Sequence, residues 1–390
     1  MTMRNPIMLA GGGLLAALAF AAGLWVLLSS GGREDGPSAA GTKTVLDLWG
    51  ATDGEAIAPL IARFEAEEPG VEIAYTEFNT AELFRAVAGS TGGRLPDLVM
   101  SSAMDLQVAL VNDGFAAPID AVPETPEWSR WRDELFGFTR EPVALVYDRR
   151  AFEGRALPRT RSELATMLRD DPAFFDGRVG TYDIALSGVG YMFATQDAQR
   201  GYQATRLVES LGRAHVRTYC CTFDMIADVS AGRLVLAYNV IASYAAGMVA
   251  ANPDLGLLLL SDYALVFTRS IFVTQASDNR EEAARFVRFL LSPAGQAEMA
   301  ESSSLFPLTG PADAGFAQDR FEGSTALLPI RLRPGLLTWL DRSKQRAFLN
   351  DWQSSMEPAA DDGEEGSGAI RALPTGAPEE AGVGGSRDPR

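Results

Sequence analysis

Several hydroxyl side chains follow apolar strands, and they are the residues in this sequence best suited to binding a small anion. Thr52 follows one strand, and Ser101 and Ser102 follow another, each where a helix is about to begin. Backbone N–H groups at a helix start, together with the helix dipole, favour negative charge, so these positions could hold a phosphate or a carboxylate. The alternative is that these residues only cap their helices, as serine and threonine commonly do.

A second group of candidate ligand contacts lies in the middle of the chain. Thr181 and Tyr182 end one short apolar strand, and Tyr238 and Asn239 end another. Tyr244 follows about one helical turn later and could close over a ligand. The alternative for each tyrosine is a core position with its hydroxyl bonded internally. The sequence therefore predicts a ligand site built from two separate parts of the chain.

Two charged residues near these strands are not predicted to bind the ligand. Arg140 could reach an anionic ligand, but an ion pair with the adjacent Glu141 or a solvated position is the preferred interpretation. Asp105 would repel a bound anion, so we interpret it as a structural residue of its helix.

Composition excludes most catalytic and metal chemistry. The 390 residues carry a formal net charge of -17, which argues against nucleic acid as a partner. A single histidine, His215, excludes an HExxH zinc helix and a His₃ metal site. The P-loop and nucleophile-elbow patterns are also missing. These exclusions predict a binding protein with no cofactor and no metal; the alternative is an exported enzyme using a carboxylate pair, although no such pair is evident.

The only two cysteines of the chain are adjacent, at Cys220 and Cys221. Adjacency excludes a CxxC redox pair and a Cys₄ metal site. In an oxidising compartment the pair could close a vicinal disulfide, a small ring that includes the peptide between the two residues. The preferred alternative is a pair of buried free thiols that pack as small apolar side chains.

The first 41 residues predict export. Residues 7–28 contain no ionisable side chain, a run longer than the usual core of a cleaved signal and close to the length needed to cross a bilayer. A cleaved signal peptide and an uncleaved membrane anchor both remain open, with a buried core helix as a third alternative. The first two place the protein in the periplasm or on the outer side of the inner membrane. Residues 31–43 are a polar, glycine-rich linker.

Strands alternate with helices through residues 45–114, which indicates a parallel sheet covered by helices. In such sheets the ligand crevice lies beyond the carboxyl ends of the strands, where Thr52, Ser101 and Ser102 are expected. A second α/β lobe is expected at 143–255, inside a first lobe made of 42–142 and 256–356. Strands that cross between the lobes would form a hinge. Residues 357–390 are predicted to be a disordered acidic tail.

Three segments resemble the extracellular solute-binding proteins of bacterial ABC-type importers, which have the type II periplasmic binding fold. The segments are Pro69–Ile73, Leu95–Val99 and the stretch 279–296, which contains AARFVRFLLSPAGQ. The resemblance covers about residues 45–305. It implies a non-enzymatic, monomeric protein that captures a small ligand between two lobes and passes it to the importer's membrane subunits.

The segments 101–107 and 238–244 are similar to a narrower subgroup near the ferric-iron, phosphoglycerate and phosphonate binding proteins. Members of that subgroup often accompany two-component systems, so the resemblance also implies a sensor histidine kinase as an alternative partner. Ferric-binding members use adjacent tyrosines, whereas Tyr244 is followed here by Ala245. A small anion is therefore the expected ligand, and ferric iron is the alternative.

Overall fold

The structure is a computed structural model that describes residues 43–90, 93–310, 321–323 and 325–356. The N-terminal apolar segment and the acidic tail, for which the sequence predicts export and disorder, lie outside the described residues. Within those residues, none of the helices combines the length and the apolar character required to cross a membrane.

Strands and helices alternate along most of the described chain. The strands are β1 Thr44–Ala51, β2 Val71–Glu77, β3 Leu98–Ser101, β4 Arg130–Trp131, β5 Leu135–Gly137, β6 Glu141–Asp148, β7 Val179–Tyr182, β8 Arg217–Tyr219, β9 Leu236–Ile241, β10 Leu255–Leu258, β11 Ala264–Phe267, β12 Ser270–Val273 and β13 Leu327–Pro329. The helices are α1 Gly54–Glu67, α2 Thr80–Ala88, α3 Met104–Asn112, α4 Arg161–Asp170, α5 Pro172–Phe175, α6 Gly188–Ala198, α7 Tyr202–Arg213, α8 Thr222–Ser230, α9 Ala242–Ala251, α10 Arg280–Leu291, α11 Pro293–Ser302 and α12 Arg342–Met356. Two 3₁₀ turns cover Glu127–Ser129 and Pro334–Trp339.

The strands form two sheets, which confirms the predicted α/β, type II periplasmic-binding architecture. The first sheet has the order β2-β1-β3-β12-β5-β4, with β1 parallel to both β2 and β3. The second has the order β13-β11-β6-β9-β7-β8, and β10 also pairs with β6. The parallel strands, β2-β1-β3 at one end of the first sheet and β9-β7-β8 at one end of the second, bring their carboxyl ends to one edge.

Apolar spacing explains why the first units fold as they do. Leu46 and Leu48 of β1 alternate with more exposed neighbours and are buried, as expected for a strand that packs on one face. In α1, Ile57, Leu60 and Phe64 recur at helical spacing and are all buried. These elements position Thr52, because the β1 strand ends at the residue before it and α1 begins two residues after it.

Two short crossing segments, residues 138–140 and 268–269, connect the sheets. The first joins β5 to β6 and the second joins β11 to β12, so the chain crosses over and returns. The crossings are bonded to each other: the Phe138 N–H donates to the Arg269 carbonyl (3.0 Å), and the Arg269 N–H donates to Thr139 Oγ1 (2.8 Å). This paired crossing is the predicted hinge.

Strand pairing differs from the expectation that all of 256–356 belongs to the first lobe. The strands β10 and β11 pair antiparallel with β6, and β13 pairs with β11, so these three belong to the second sheet. Helix α12 packs against α7, which also lies on the second sheet's side. The length of β6 explains the difference. This strand is long enough to pair with β9, β10 and β11, and so it draws β10 and β11 into the second sheet. The exact lobe limits stay a prediction.

A pair of glycine substitutions tests where α12 packs. A Cβ at Gly212 of α7 would overlap the main-chain carbonyl oxygen of Ser355 in α12, whereas a Cβ at Gly247 of α9 would meet open space. We expect Gly212→Ala to lower the free energy of unfolding by about 1–3 kcal/mol through overpacking. Gly247→Ala should raise it by roughly 0.5–1 kcal/mol through helix propensity. Urea unfolding measures both; equal stability of the two variants would contradict the packing of α12 on α7.

Candidate functional site

A cleft of about 150 Å³ lies between the two sheets, at the carboxyl ends of β1, β2, β3, β7 and β8. Its first wall, on the first sheet's side, consists of Ala51, Thr52, Asp53, Glu77, Phe78, Asn79, Thr80 and Ser102. Its second wall, on the second sheet's side, consists of Tyr182, Ser187, Val189, Cys220, Cys221, Thr222, Phe223, Ile241 and Tyr244. Arg269, on a crossing segment, also contributes to the lining.

The helices α1, α2, α3, α6, α8 and α9 all begin at this cleft, so their positive ends converge on it. Three of them are capped by their own sequence, because the side chains of Asp53, Asn79 and Ser187 each accept a hydrogen bond from the first turn. Helices α3, α8 and α9 follow Ala103, Cys221 and Ile241, which provide no side-chain cap. In α3 the Asp105 carboxylate already accepts from the Leu106 N–H (2.9 Å), so the N–H groups suited to an anion are those at the starts of α8 and α9 and the first ones of α3.

The two adjacent serines have different environments. The Ser101 hydroxyl accepts a hydrogen bond from the Ala103 N–H (3.1 Å), which ties it to the turn before α3. Ser102 is only 1% exposed and lines the cleft, yet its hydroxyl bonds to none of the described residues. Buried polar groups in proteins are almost always hydrogen-bonded. The Ser102 oxygen is not among the fully enclosed side-chain atoms left without a partner, so it is open to the cleft, where it offers a donor and an acceptor that no described residue uses.

A buried ion pair lies at the base of the cleft. Arg269 Nε is 2.7 Å from Glu141 Oε1, and their side chains are 1% and 0% exposed. Arg269 Nη1 also donates to Thr52 Oγ1 (3.1 Å). Burial alone lowers the pKa of Arg269, but Glu141 and nearby tyrosines reverse this effect and hold that pKa above its ordinary value. The interpretation that Glu141 pairs with Arg140 is wrong, because Arg140 is exposed while Glu141 points inward to Arg269.

Three tyrosine hydroxyls around the cleft already have partners. Tyr75 accepts a hydrogen bond from the Thr52 N–H (3.2 Å) and donates to the Thr52 carbonyl, which fixes this residue of the first wall. Tyr182 bonds to the hydroxyl of Thr222. Tyr244 accepts from the Asp53 N–H (3.0 Å). Burial raises the pKa of each of the three phenols, so they remain protonated near neutral pH.

Direct hydrogen bonds connect the two walls of the cleft. Tyr244 of the second wall bonds to Asp53 of the first, and the Val189 N–H donates to Thr80 Oγ1 (3.3 Å). The cleft is therefore narrow, and any ligand in it would be enclosed by both sheets. Of the eight residues predicted to bind ligand, the structure brings Thr52, Ser102, Tyr182 and Tyr244 to this cleft.

Tyr238 and Asn239 lie elsewhere, in a separate pocket beside α6, α7 and α12. Both donate to the buried carboxylate of Asp197, at 2.7 Å and 3.0 Å. The β6–β9 register shifts at this point, and Asn239 has a positive φ of 62°. Such a bulge re-aims side chains, which accounts for their placement away from the cleft. Thr181 is also buried in the sheet, with its hydroxyl 3.5 Å from the Tyr238 carbonyl.

The acidic residues near the cleft are partly committed to helix ends. Glu77 Oε2 accepts a hydrogen bond from the Gly54 N–H (2.9 Å), and Asp53 Oδ1 accepts one from Glu55 (3.0 Å), so both neutralise the start of α1. Burial raises the pKa of Asp105, in the first turn of α3, to about 7. A large fraction of Asp105 is therefore uncharged near neutrality, which reduces its repulsion of an anion at α3.

Cys220 and Cys221 are bonded to each other as a vicinal disulfide, so the interpretation as two buried free thiols is wrong. Together with Asp224 they form the only group of His, Cys, Asp and Glu side chains within the described chain that is placed to hold a metal. Because the two sulfurs are joined to each other, they are not thiolate ligands in this form.

A larger pocket of about 1170 Å³ lies between α9 and α11. Its described lining is mostly alanine and other small or apolar residues, and the only charged residue in it is Glu301. This lining offers no cation, so the pocket is less suited to an anion than the cleft.

Residues 59–319 match the family model described as bacterial extracellular solute-binding protein. Among solved structures, the chain is similar to the substrate-binding protein of an ABC transporter from Agrobacterium tumefaciens, with 30% identity, a TM-score of 0.75, and coverage of 82% of this chain and 96% of that one. No curated protein matches the sequence.

Two more distant structures share the fold. Iron-bound HitA from Pseudomonas aeruginosa is 18% identical with a TM-score of 0.63, covering 80% of this chain and 99% of that one. The periplasmic binding protein AfuA from Actinobacillus pleuropneumoniae, solved with fructose-6-phosphate, is 12% identical with a TM-score of 0.66 and the same coverage.

Proposed function

The chain belongs to the bacterial extracellular solute-binding proteins of ABC transporters, and from this premise we propose that it captures a small anionic solute in the cleft between its two sheets. The family consists of binding proteins, and we propose that this member likewise catalyses no reaction. The solute would be enclosed by both walls and then released to the importer's membrane subunits, which would recognise the closed form.

The observation that carries the anionic assignment is the hydroxyl of Ser102. The residue is only 1% exposed, its hydroxyl is open to the cleft, and no described residue is hydrogen-bonded to that hydroxyl. It also stands immediately before α3, whose cap position, Ala103, supplies no side-chain acceptor. A ligand oxygen at this point would accept from the serine hydroxyl and from N–H groups at the helix start, and the helix dipole would favour its negative charge.

The charges around Ser102 are consistent with this assignment. Glu141 neutralises Arg269, and Asp53 and Glu77 are bonded to the start of α1, on one side of the cleft. The remaining helix starts at the cleft whose cap residue gives no side-chain bond are those of α3, α8 and α9. An anion would therefore be bound by helix ends and hydroxyls, with Thr52 among the nearest, and without a dedicated free arginine.

Ferric iron is the second candidate because the structurally similar HitA was solved with iron bound. Iron sites in this fold would need deprotonated tyrosines here, as no histidine lines the cleft. Tyr182 and Tyr244 already bond to Thr222 and Asp53, and burial raises the pKa of both phenols. Forming their phenolates would break these bonds, so the anion is preferred.

The remaining assignments concern delivery and partners. We propose that residues 1–41 export the protein and either are removed or anchor it to the outer side of the inner membrane. We propose further that it acts as a monomer with the membrane subunits of an ABC importer, and that a sensor histidine kinase is the alternative partner.

Matched substitutions of the adjacent serines test the function. Ser102→Ala should weaken binding of an anionic ligand by about 10- to 150-fold, because a hydrogen bond to a charged group is worth roughly 1.5–3 kcal/mol. Its stability should change little, since that hydroxyl has no protein partner. Ser101→Ala should do the reverse: it removes a cap-like bond worth about 0.5–2 kcal/mol of stability and leaves affinity unchanged.

Calorimetry with inorganic phosphate and fructose 6-phosphate would measure affinity, and urea unfolding would measure stability. Ferric citrate and thiamin serve as the metal and cationic comparisons. Anion binding that is equally weakened by both serine substitutions would remove Ser102 from the site. Tight iron binding with a tyrosinate absorption band, and no response to either phosphate compound, would replace the anion by ferric iron.

A further inference from the structure

The vicinal disulfide lies inside the second wall of the cleft. Cys220 follows β8 directly and is exposed, and Cys221 is the residue before α8. Both line the same cleft as Ser102 and Thr52. The disulfide ring therefore closes the chain at the point where the uncapped start of α8 meets the cleft.

Contacts connect this ring to the opposite wall. Thr222, next to the ring, bonds to the hydroxyl of Tyr182 and accepts from the Ile241 N–H (3.4 Å). The ring of Phe223 packs on that of Tyr244 with 4.7 Å between centroids, and the Tyr244 hydroxyl bonds to Asp53 of the first wall. The conformation of the first turn of α8 thus determines a contact that spans the cleft.

We propose that Cys220–Cys221 is a reversible redox-modification site that controls this wall of the cleft. The disulfide holds the start of α8 in place to receive the ligand, and reduction by a dithiol releases it. This inference rests on the proposed function for its effect on ligand affinity, but its effect on α8 does not depend on the identity of the ligand.

The reduction balances with an external dithiol as the two-electron donor. One thiolate of the dithiol attacks the exposed Sγ of Cys220, the S–S bond breaks, and Cys221 leaves as a thiolate that takes a proton from water. The second thiol of the reductant, as its thiolate, then displaces Cys220 from the mixed disulfide, Cys220 also gains a proton, and the reductant ends as a cyclic disulfide.

Asp224 gives the reduced pair a different set of contacts. Its Oδ2 lies 3.6 Å from Cys220 Sγ, across the first turn of α8. A disulfide sulfur has no proton to donate, whereas a Cys220 thiol can donate weakly to this carboxylate. Reduction therefore removes the ring constraint and supplies a competing interaction within the helix start.

Hydrogen exchange tests the effect on α8 in the full chain. We expect the amides of residues 226–228, which donate to the carbonyls of residues 222–224 in the first turn of α8, to exchange about tenfold faster after treatment with dithiothreitol. Affinity for inorganic phosphate should fall by about tenfold. A tenfold change is about the free energy needed to fix the backbone of one residue in a single conformation. Because these are the only two cysteines of the chain, the reductant has no other target.

The double variant Cys220→Ser, Cys221→Ser is the matched control. It should resemble the reduced protein in exchange and affinity, and dithiothreitol should have no effect on it. Mass spectrometry after alkylation establishes which form is present. Thiols that stay alkylatable in the oxidised, exported protein would overturn the proposal.

The proposal is also overturned if reduction changes neither exchange nor phosphate affinity while phosphate binding itself persists; the proposed function then stands alone. If phosphate binds neither form and exchange at 226–228 still accelerates on reduction, the redox site stands and the anionic ligand class fails.

Discussion

Replacing Glu141 with glutamine is expected to lower the free energy of unfolding by about 3–5 kcal/mol, because it leaves Arg269 charged and buried without its counter-ion. Both side chains are almost completely inaccessible, and the carboxylate accepts from two guanidinium nitrogens, Nε at 2.7 Å and Nη2 at 3.4 Å. Ser243 also bonds to this carboxylate. Urea unfolding of the wild type and the variant measures the effect.

Two further variants separate a buried-charge effect from a general loss of an acid. Glu67→Gln removes the partner of Arg63 from an exposed pair, whose side chains are 50% and 40% accessible, and should change stability by less than about 1 kcal/mol. The double variant Glu141→Leu, Arg269→Met removes both buried charges and should recover much of the stability lost by Glu141→Gln. A Glu141→Gln variant as stable as Glu67→Gln would contradict the buried pairing.

The position of this pair gives it a functional consequence. Glu141 begins β6, directly after the first crossing segment, and Arg269 lies on the second, so the ion pair lies at the hinge. The Arg269 guanidinium also lies 4.6 Å from the centroid of the Tyr244 ring and donates to Thr52. The same pair thus supports both walls of the cleft at the point about which they would move.

The general architecture could be predicted because it depends on local patterns. Alternating and helical apolar spacing predicted the β1 strand, observed at Thr44–Ala51, and the α3 helix, observed at Met104–Asn112. Since parallel strands bring their carboxyl ends to one edge, the same reasoning pointed to Thr52 and Ser102, and both line the cleft. These inferences required no knowledge of side-chain contacts.

The Arg269–Glu141 pair was missed because its members are 128 residues apart and no local pattern connects them. A signal was present: Arg269 is a single charge inside the apolar run 263–274, and a charge in a buried strand must have a partner. The sequence offered Arg140 as the nearest partner for Glu141. Alternation along a strand places adjacent residues on opposite faces, which is why the neighbour in sequence is not the neighbour in space.

Tyr238 and Asn239 illustrate a different limit. Their place near the end of a strand predicted ligand contact, as it did for Tyr182. The bulge between β6 and β9 changes the register there, and a shift of one residue in a strand exchanges its two faces. Sequence spacing alone does not reveal a bulge, although an asparagine is one of the few residues that readily adopts a positive φ.

Asp197→Asn is expected to destabilise the fold by about 3 kcal/mol or more and to leave ligand affinity unchanged. The Asp197 carboxylate is buried and accepts from the hydroxyls of Tyr238 and Tyr263, each at 2.7 Å, and from Asn239 at 3.0 Å. It also lies 3.4 Å from the guanidinium of the buried Arg161. An amide cannot supply acceptors to all of these donors, so buried donors would lose their partners.

Asp262→Asn provides a graded control, because Asp262 pairs with the same arginine at 3.0 Å but its side chain is 18% exposed, compared with 9% for Asp197. We expect a smaller loss of stability, since solvent can compensate more of the charge. Tyr238→Phe completes the set: it removes the hydroxyl that bonds Asp197 and Arg161, and it should cost stability but no affinity. Urea unfolding and phosphate calorimetry on the folded variants give both quantities.

Comparing the Asp197 and Tyr238 variants with Ser102→Ala decides whether Tyr238 and Asn239 contact the ligand or only support the fold. If Tyr238 and Asn239 contact the ligand, releasing them from Asp197 must alter affinity, because their hydrogen-bonding groups would become available or change position. If they belong to a structural network, affinity stays at the wild-type value while stability falls, which is the opposite of the Ser102→Ala result. If Tyr238→Phe reduced phosphate affinity tenfold or more, Tyr238 would be a ligand contact after all. The binding site would then extend beyond the cleft.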